Sequence, residues 1–73
     1  MLTEVTKDFY RQITEHRTYE FEKNRRGEWN VNVYSNDQKL NEDEAFISRE
    51  SGNIMVITEA EDFIRNNEQV IIG

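Results

Sequence analysis

Residues 18–35, "TYEFEKNRRGEWNVNVYS", decide the fold class, because apolar and polar side chains alternate through both halves of the stretch. Tyr19, Phe21 and Lys23 alternate with Glu20 and Glu22, and Trp29, Val31 and Val33 alternate with Asn30, Asn32 and Tyr34. Side chains two apart share one face of a strand, so the alternation predicts two half-buried strands. "NRRG" lies between them, with Asn24 as a common turn opener and Gly27 able to take a positive φ. The expected product is a hairpin with Tyr19, Phe21, Trp29, Val31 and Val33 over one core. Glu20, Glu22, Asn30, Asn32 and Tyr34 then share the outer face.

The same phase decides between two uses of Arg25, Arg26 and Trp29. Adjacent arginines beside an aromatic ring can clamp phosphate and stack a base of single-stranded nucleic acid. An indole in phase with Val31 and Val33 belongs to the core, however, and a core ring is no stacking platform. Arg25 and Arg26 are then solvated at the hairpin tip, where they are open to an acidic protein surface. Weak nucleic-acid binding through this tip stays as an alternative function.

Working outward, residues 2–17 read as an amphipathic helix. Leu2, Val5, Phe9 and Ile13 fall on one stripe at helical spacing, while Lys7, Asp8, Arg11, Gln12 and Glu15 fall on the other side. His16 and Arg17 would close it, with His16 as a favourable charge at the helix C-terminus. On the other flank, "GNIMVIT" follows a Ser-Gly-Asn turn signal and reads as a central strand. What precedes it is either that strand's hairpin partner, through Ala45–Arg49, or a short helix. Asn41 and Glu44 have capping-box spacing and Leu40 occupies the staple position. The hairpin is preferred, since a third paired strand makes the sheet more viable. Thr58 with Glu61, and three acids in "EAEDF", predict a second helix whose face carries Ala60, Phe63, Ile64 and Asn67. "VIIG" either extends it or forms a terminal strand.

These elements give a single α+β domain over residues 1–73. The expectation is a small antiparallel meander of three to four strands, with an N-terminal and a C-terminal helix packed on one face. No repeat, low-complexity tract or linker divides the chain. A domain of 73 residues buries only about 60% of the surface its unfolded chain exposes, so its margin of stability is small. With no cysteine and one histidine, disulfides, thiolate zinc sites and cysteine nucleophiles are excluded, leaving self-association as the usual compensation. A homodimer is therefore expected alongside a heterologous partner. No apolar run reaches the ~20 residues of a membrane span, and the acid-bearing start does not resemble a signal peptide. The expected compartment is the cytoplasm.

The net charge of −6 is unevenly spread. Up to Arg26 six bases face five acids, and from Gly27 onward three bases face ten acids. A field of this sign repels nucleic acid and anionic lipid and favours a basic protein partner. "NEDEAF" and "TEAEDF" supply oxygen ligands, but no calcium-loop pattern occurs, so neither a metal nor any other cofactor is assigned. No nucleophile elbow, phosphate loop or Gly-rich dinucleotide turn is present, and no catalytic residue is assigned. The function expected is a non-enzymatic protein–protein interaction or regulatory module. Candidate contact residues are Tyr34, Asn30, Asn32, Arg25 and Arg26. A second alternative is an acidic mimic that inhibits a nucleic-acid-binding protein, with Glu42, Asp43, Glu44, Glu59, Glu61 and Asp62 in place of phosphates. That alternative requires the six carboxylates to form one stripe.

Overall fold

In the computed structural model, which describes residues 2–54 and 57–72, the hairpin predicted at 18–35 sits at the middle of the sheet. β3 (Arg17–Lys23) pairs antiparallel with β4 (Trp29–Ser35), with Tyr19 opposite Val33, Phe21 opposite Val31 and Lys23 opposite Trp29. Asn24 builds the turn. Its side-chain oxygen accepts from the amides of Arg26 and Glu28 at 2.8 and 3.0 Å, and its carbonyl accepts from Gly27 at 3.1 Å. Gly27 takes φ +81°, a conformation that a Cβ makes costly.

The N-terminal helix expected over residues 2–17 is absent; the segment is a second hairpin. β1 (Thr3–Thr6) turns through Lys7 and Asp8 into β2 (Phe9–Ile13), which pairs with β3 from Phe9 opposite Glu22 to Ile13 opposite Thr18. Thr6 Oγ1 accepts from the Asp8 amide at 3.2 Å. Neither turn residue has a positive φ, unlike the two-residue hairpin turns that match strand twist. The register accordingly slips between Glu4 and Thr6. The physical source of the discrepancy is arithmetic. Val5, Phe9 and Ile13 are four apart, which is close to one helical turn but also an even number, in phase on a strand. The β-branched and aromatic content of "TEVTKDFYRQIT" favours the extended form. His16 therefore lies in the β2–β3 connection, not at a helix end.

Around residues 41–54 both competing readings are realised in sequence. α1 (Glu42–Ala45) is a single turn capped by Asn41, whose side chain accepts from the Glu44 amide at 2.8 Å. It runs directly into β5 (Phe46–Ile54), which pairs with β4 from Tyr34–Phe46 to Trp29–Ile54. The expected hairpin between Ala45–Arg49 and "GNIMVIT" is thus overturned, because Ser51, Gly52 and Asn53 lie within one strand. The register shifts between Trp29 and Asn30, so the extra residues form an irregularity in the ladder instead of a turn. β5 is an edge strand, not a central one, and it closes the five-stranded order β1-β2-β3-β4-β5. Met55 and Val56 of the expected strand lie outside the described residues.

α2 (Glu59–Ile72) begins with Glu59, Glu61 and Asp62 in its first turn, as the dipole argument requires, and it absorbs the apolar tail as helix. Ala60 and Ile64 complete a buried cluster with Tyr19, Phe21, Trp29, Val31 and Val33. The Phe63 ring meets Tyr19 and Phe21 edge-on, at centroid distances of 6.3 and 6.1 Å. The architecture is α+β: a five-stranded antiparallel meander with α2 laid across one face and α1 at an edge. With the N-terminal segment drawn into the sheet, the opposite face is not covered by α2, and α1 reaches it at one end, where Ala45 lines a hollow with Thr18, Glu20 and Tyr34.

Candidate functional site

The register fixes what the uncovered face displays. Across its middle, Thr3, Arg11, Glu20, Asn32 and Arg49 follow one another on adjacent strands. Arg11 donates from Nε and Nη2 to the same Glu20 oxygen at 3.0 and 2.9 Å. Its guanidinium also stands 5.4 Å from the centre of the Phe9 ring, close enough for a cation–π contribution. At the other end of the row Arg49 donates from Nε to Asn32 Oδ1 at 2.9 Å. The polar centre is thereby held in fixed geometry on strands, without a loop.

Apolar side chains flank this row. Ile13, Thr18, Tyr34 and Phe46 form the row on one side, with Tyr34 and Phe46 edge-to-face at 5.7 Å. Val5 and Phe9 lie toward the β1–β2 turn on the other side. Val5, Ile13 and Phe46 are 51%, 67% and 45% exposed. Thr3, Val5, Arg11 and Ile13 together line a hollow of about 340 Å³ at the β1 side. Protein contact surfaces combine apolar side chains with ordered polar groups, and this face holds both.

The helix-side face is occupied by packing. Trp29 is 5% exposed and meets the Tyr10 ring edge-on at 5.6 Å. Tyr10 donates its hydroxyl to Glu4 at 2.9 Å, and that bond, followed by burial, raises its pKa. Tyr19 donates to Glu68 at 2.7 Å. Burial first and the Glu68 carboxylate second push the Tyr19 phenol up to about 12, against an opposing pull from Arg17. Both arrangements tie elements together: β2 to β1, and the sheet to α2.

The sequence-selected residues fall into three separate groups. Asn30, Asn32 and Tyr34 share the open face with Glu20 and Glu22, as the alternation predicts. Arg25 and Arg26 are exposed at the β3–β4 turn, while the Trp29 ring is in the core beneath α2. No base could lie between them. The acids divide between the two ends of β5. Glu42, Asp43 and Glu44 belong to α1, before the strand, and Glu59, Glu61 and Asp62 begin α2, after it. Nine strand residues separate these groups, roughly 30 Å of extended chain. Asp62 is also bonded by Arg65 at 2.9 Å. Phe9 and Ile13, expected on a buried helical stripe, and Phe46 and Arg49, expected in a hairpin arm, are residues of this surface that the sequence reading did not select. The even spacing of Val5, Phe9 and Ile13 was the signal that could have found three members of the face.

His16, Arg17, Ser35, Asn36 and Asp37 border a shallow hollow of about 490 Å³ at the β2–β3 connection. His16 lies 3.8 Å from Glu15, and both side chains are more than half exposed. Asn36 is committed to structure: its side chain donates to the Thr14 carbonyl and accepts from Thr18 Oγ1, and its amide donates to the His16 carbonyl. Among the described residues no three histidine or carboxylate side chains converge as a metal site, and no helix is long and apolar enough to cross a membrane. Comparison with family models, curated proteins and solved structures finds no match for this chain.

Proposed function

We propose that the protein is a non-enzymatic interaction module that docks another protein on the open face of its sheet. The observation that carries this reading is the pairing of exposed Val5, Ile13 and Phe46 with an ordered Arg11–Glu20 and Arg49–Asn32 centre on one uncovered face. An antiparallel sheet often leaves one face to water, but such a face normally alternates to polar residues. Here the side facing away from α2 carries Val5, Phe9, Ile13, Tyr34 and Phe46, of which Val5, Ile13 and Phe46 are exposed. Tyr34 and Phe46 are the aromatic anchors of the surface, and the two arginines supply orientation.

Photocrosslinking tests the assignment. A crosslinking side chain placed at Ile13 captures protein in the native extract, whereas one placed at Glu61, on the exposed side of α2, does not. Equal capture from both positions, or none from either, would remove the open face as the docking surface.

A further inference from the structure

We infer that the occupant of the open face is a second copy of this chain, packed sheet against sheet; the inference rests on the docking reading above. Charge is the first ground. Arg11 and Arg49 balance Glu20 and Glu22 on this face, so the remaining seven bases and thirteen acids carry the whole net charge of −6. Two acidic chains repel through most of their surfaces. The strand residues of this face carry no net charge, and the acids of α1 stand only at its end, where Ala45 lines a hollow with Thr18, Glu20 and Tyr34. Face-to-face packing also sends both α2 helices, with their acidic first turns, to the outside of the pair.

Complementarity is the second ground. A two-fold axis sets the same patch against itself, so a self-associating face must contain both halves of each contact. This face has guanidinium and carboxylate side by side in its centre, and apolar groups on both flanks. A basic partner would find most of its counter-charges beyond the strands of this face, and an acidic one would meet Glu20 and Glu22.

Analytical ultracentrifugation across a concentration series decides the matter. The wild-type chain is expected to reach twice the monomer mass by ~100 µM. A Val5→Lys/Ile13→Lys double variant is expected to associate at least ~10-fold more weakly, because four lysines then face one another. Both positions are more than half exposed, so its circular dichroism should match the wild type. Glu61→Lys, on α2, should leave association unchanged. A dimer that persists in the double variant would place the contact at the β1 or β5 edge and overturn the inference. A wild-type monomer at ~1 mM would overturn it as well. If that monomer still crosslinks a different protein through Ile13, docking survives and self-association alone fails; if it crosslinks nothing, both fail.

Discussion

The two hairpins of this sheet, β1–β2 and β3–β4, place apolar residues by opposite rules. In β3–β4 the apolar side chains Tyr19, Phe21, Trp29, Val31 and Val33 point at α2 and are buried, while Glu20, Glu22, Asn30 and Asn32 point away. In β1–β2 the side chains that point at α2 are Glu4, Tyr10 and Gln12, and those that point away are Val5, Phe9, Arg11 and Ile13. The sheet's inner face is filled where it lies under α2 and becomes amphipathic toward β1. The outer face does the reverse. Hydrophobic residues therefore report burial on the inner face of the strands beneath the helix, whereas Val5 and Ile13 toward the β1 edge and Phe46 at the β5 edge report a surface.

The largest expected effect sharpens that contrast. Phe21→Ala removes a fully buried ring from beneath α2 and should destabilise the protein by about 3–5 kcal/mol, enough to unfold a domain of this size. Ile13→Ser, on the neighbouring strand but 67% exposed, should change monomer stability by no more than about 0.5 kcal/mol. Urea melts of both variants at low protein concentration measure the difference. Equal losses would mean that the β1–β2 face is part of the monomer core.

The turns differ in the same way. Gly27→Ala forces a Cβ onto φ +81° and should destabilise by about 1–2 kcal/mol. Asp8→Ala, in a turn with no positive φ, should shift the denaturation midpoint by about 0.5 kcal/mol or less.

Tyr19→Phe removes the bond from the sheet to Glu68 of α2 and should destabilise by about 1 kcal/mol. The phenol also gives the fold a pH signature. Its pKa is raised to about 12 in the folded state from 10.0, so the folded protein holds a proton that the unfolded chain releases earlier. This contribution is complete below pH 10 and is lost as pH rises from there through about 12. Denaturation midpoints should fall over that alkaline window in the wild type and fall less in Tyr19→Phe. Tyr10, raised by its bond to Glu4, shifts in the same direction in both proteins. A small effect is also expected at the polar centre of the open face. Glu20→Gln weakens a half-exposed pair with Arg11 and should cost below about 1 kcal/mol in the monomer.

Asn24, Gly27 and the strict alternation of residues 18–35 wrote the central hairpin, its register face and the core position of Trp29 into local sequence. The acidic first turn of α2 was equally legible, because the helix dipole acts within one turn. The open face was half legible. Asn30, Asn32 and Tyr34 followed from alternation, but Val5, Phe9 and Ile13 did not, because a spacing of four fits both a helical stripe and a strand face. No glycine or asparagine marked the Lys7–Asp8 turn, so nothing local broke the helical reading.

What the sequence by itself determined is therefore the central hairpin, the C-terminal helix and the acidity of the second half, each carried by interactions within a few residues. Tertiary structure alone decided the fate of residues 2–17 and of "SGN". β3 has a second edge whose amides and carbonyls need partners, and "FYRQI" satisfies them only as a strand. β4 likewise draws residues 46–54 through the glycine as one edge strand. Those two strand pairings, which side-chain periodicity alone does not reveal, extend the sheet to five strands and leave its outer face uncovered by α2.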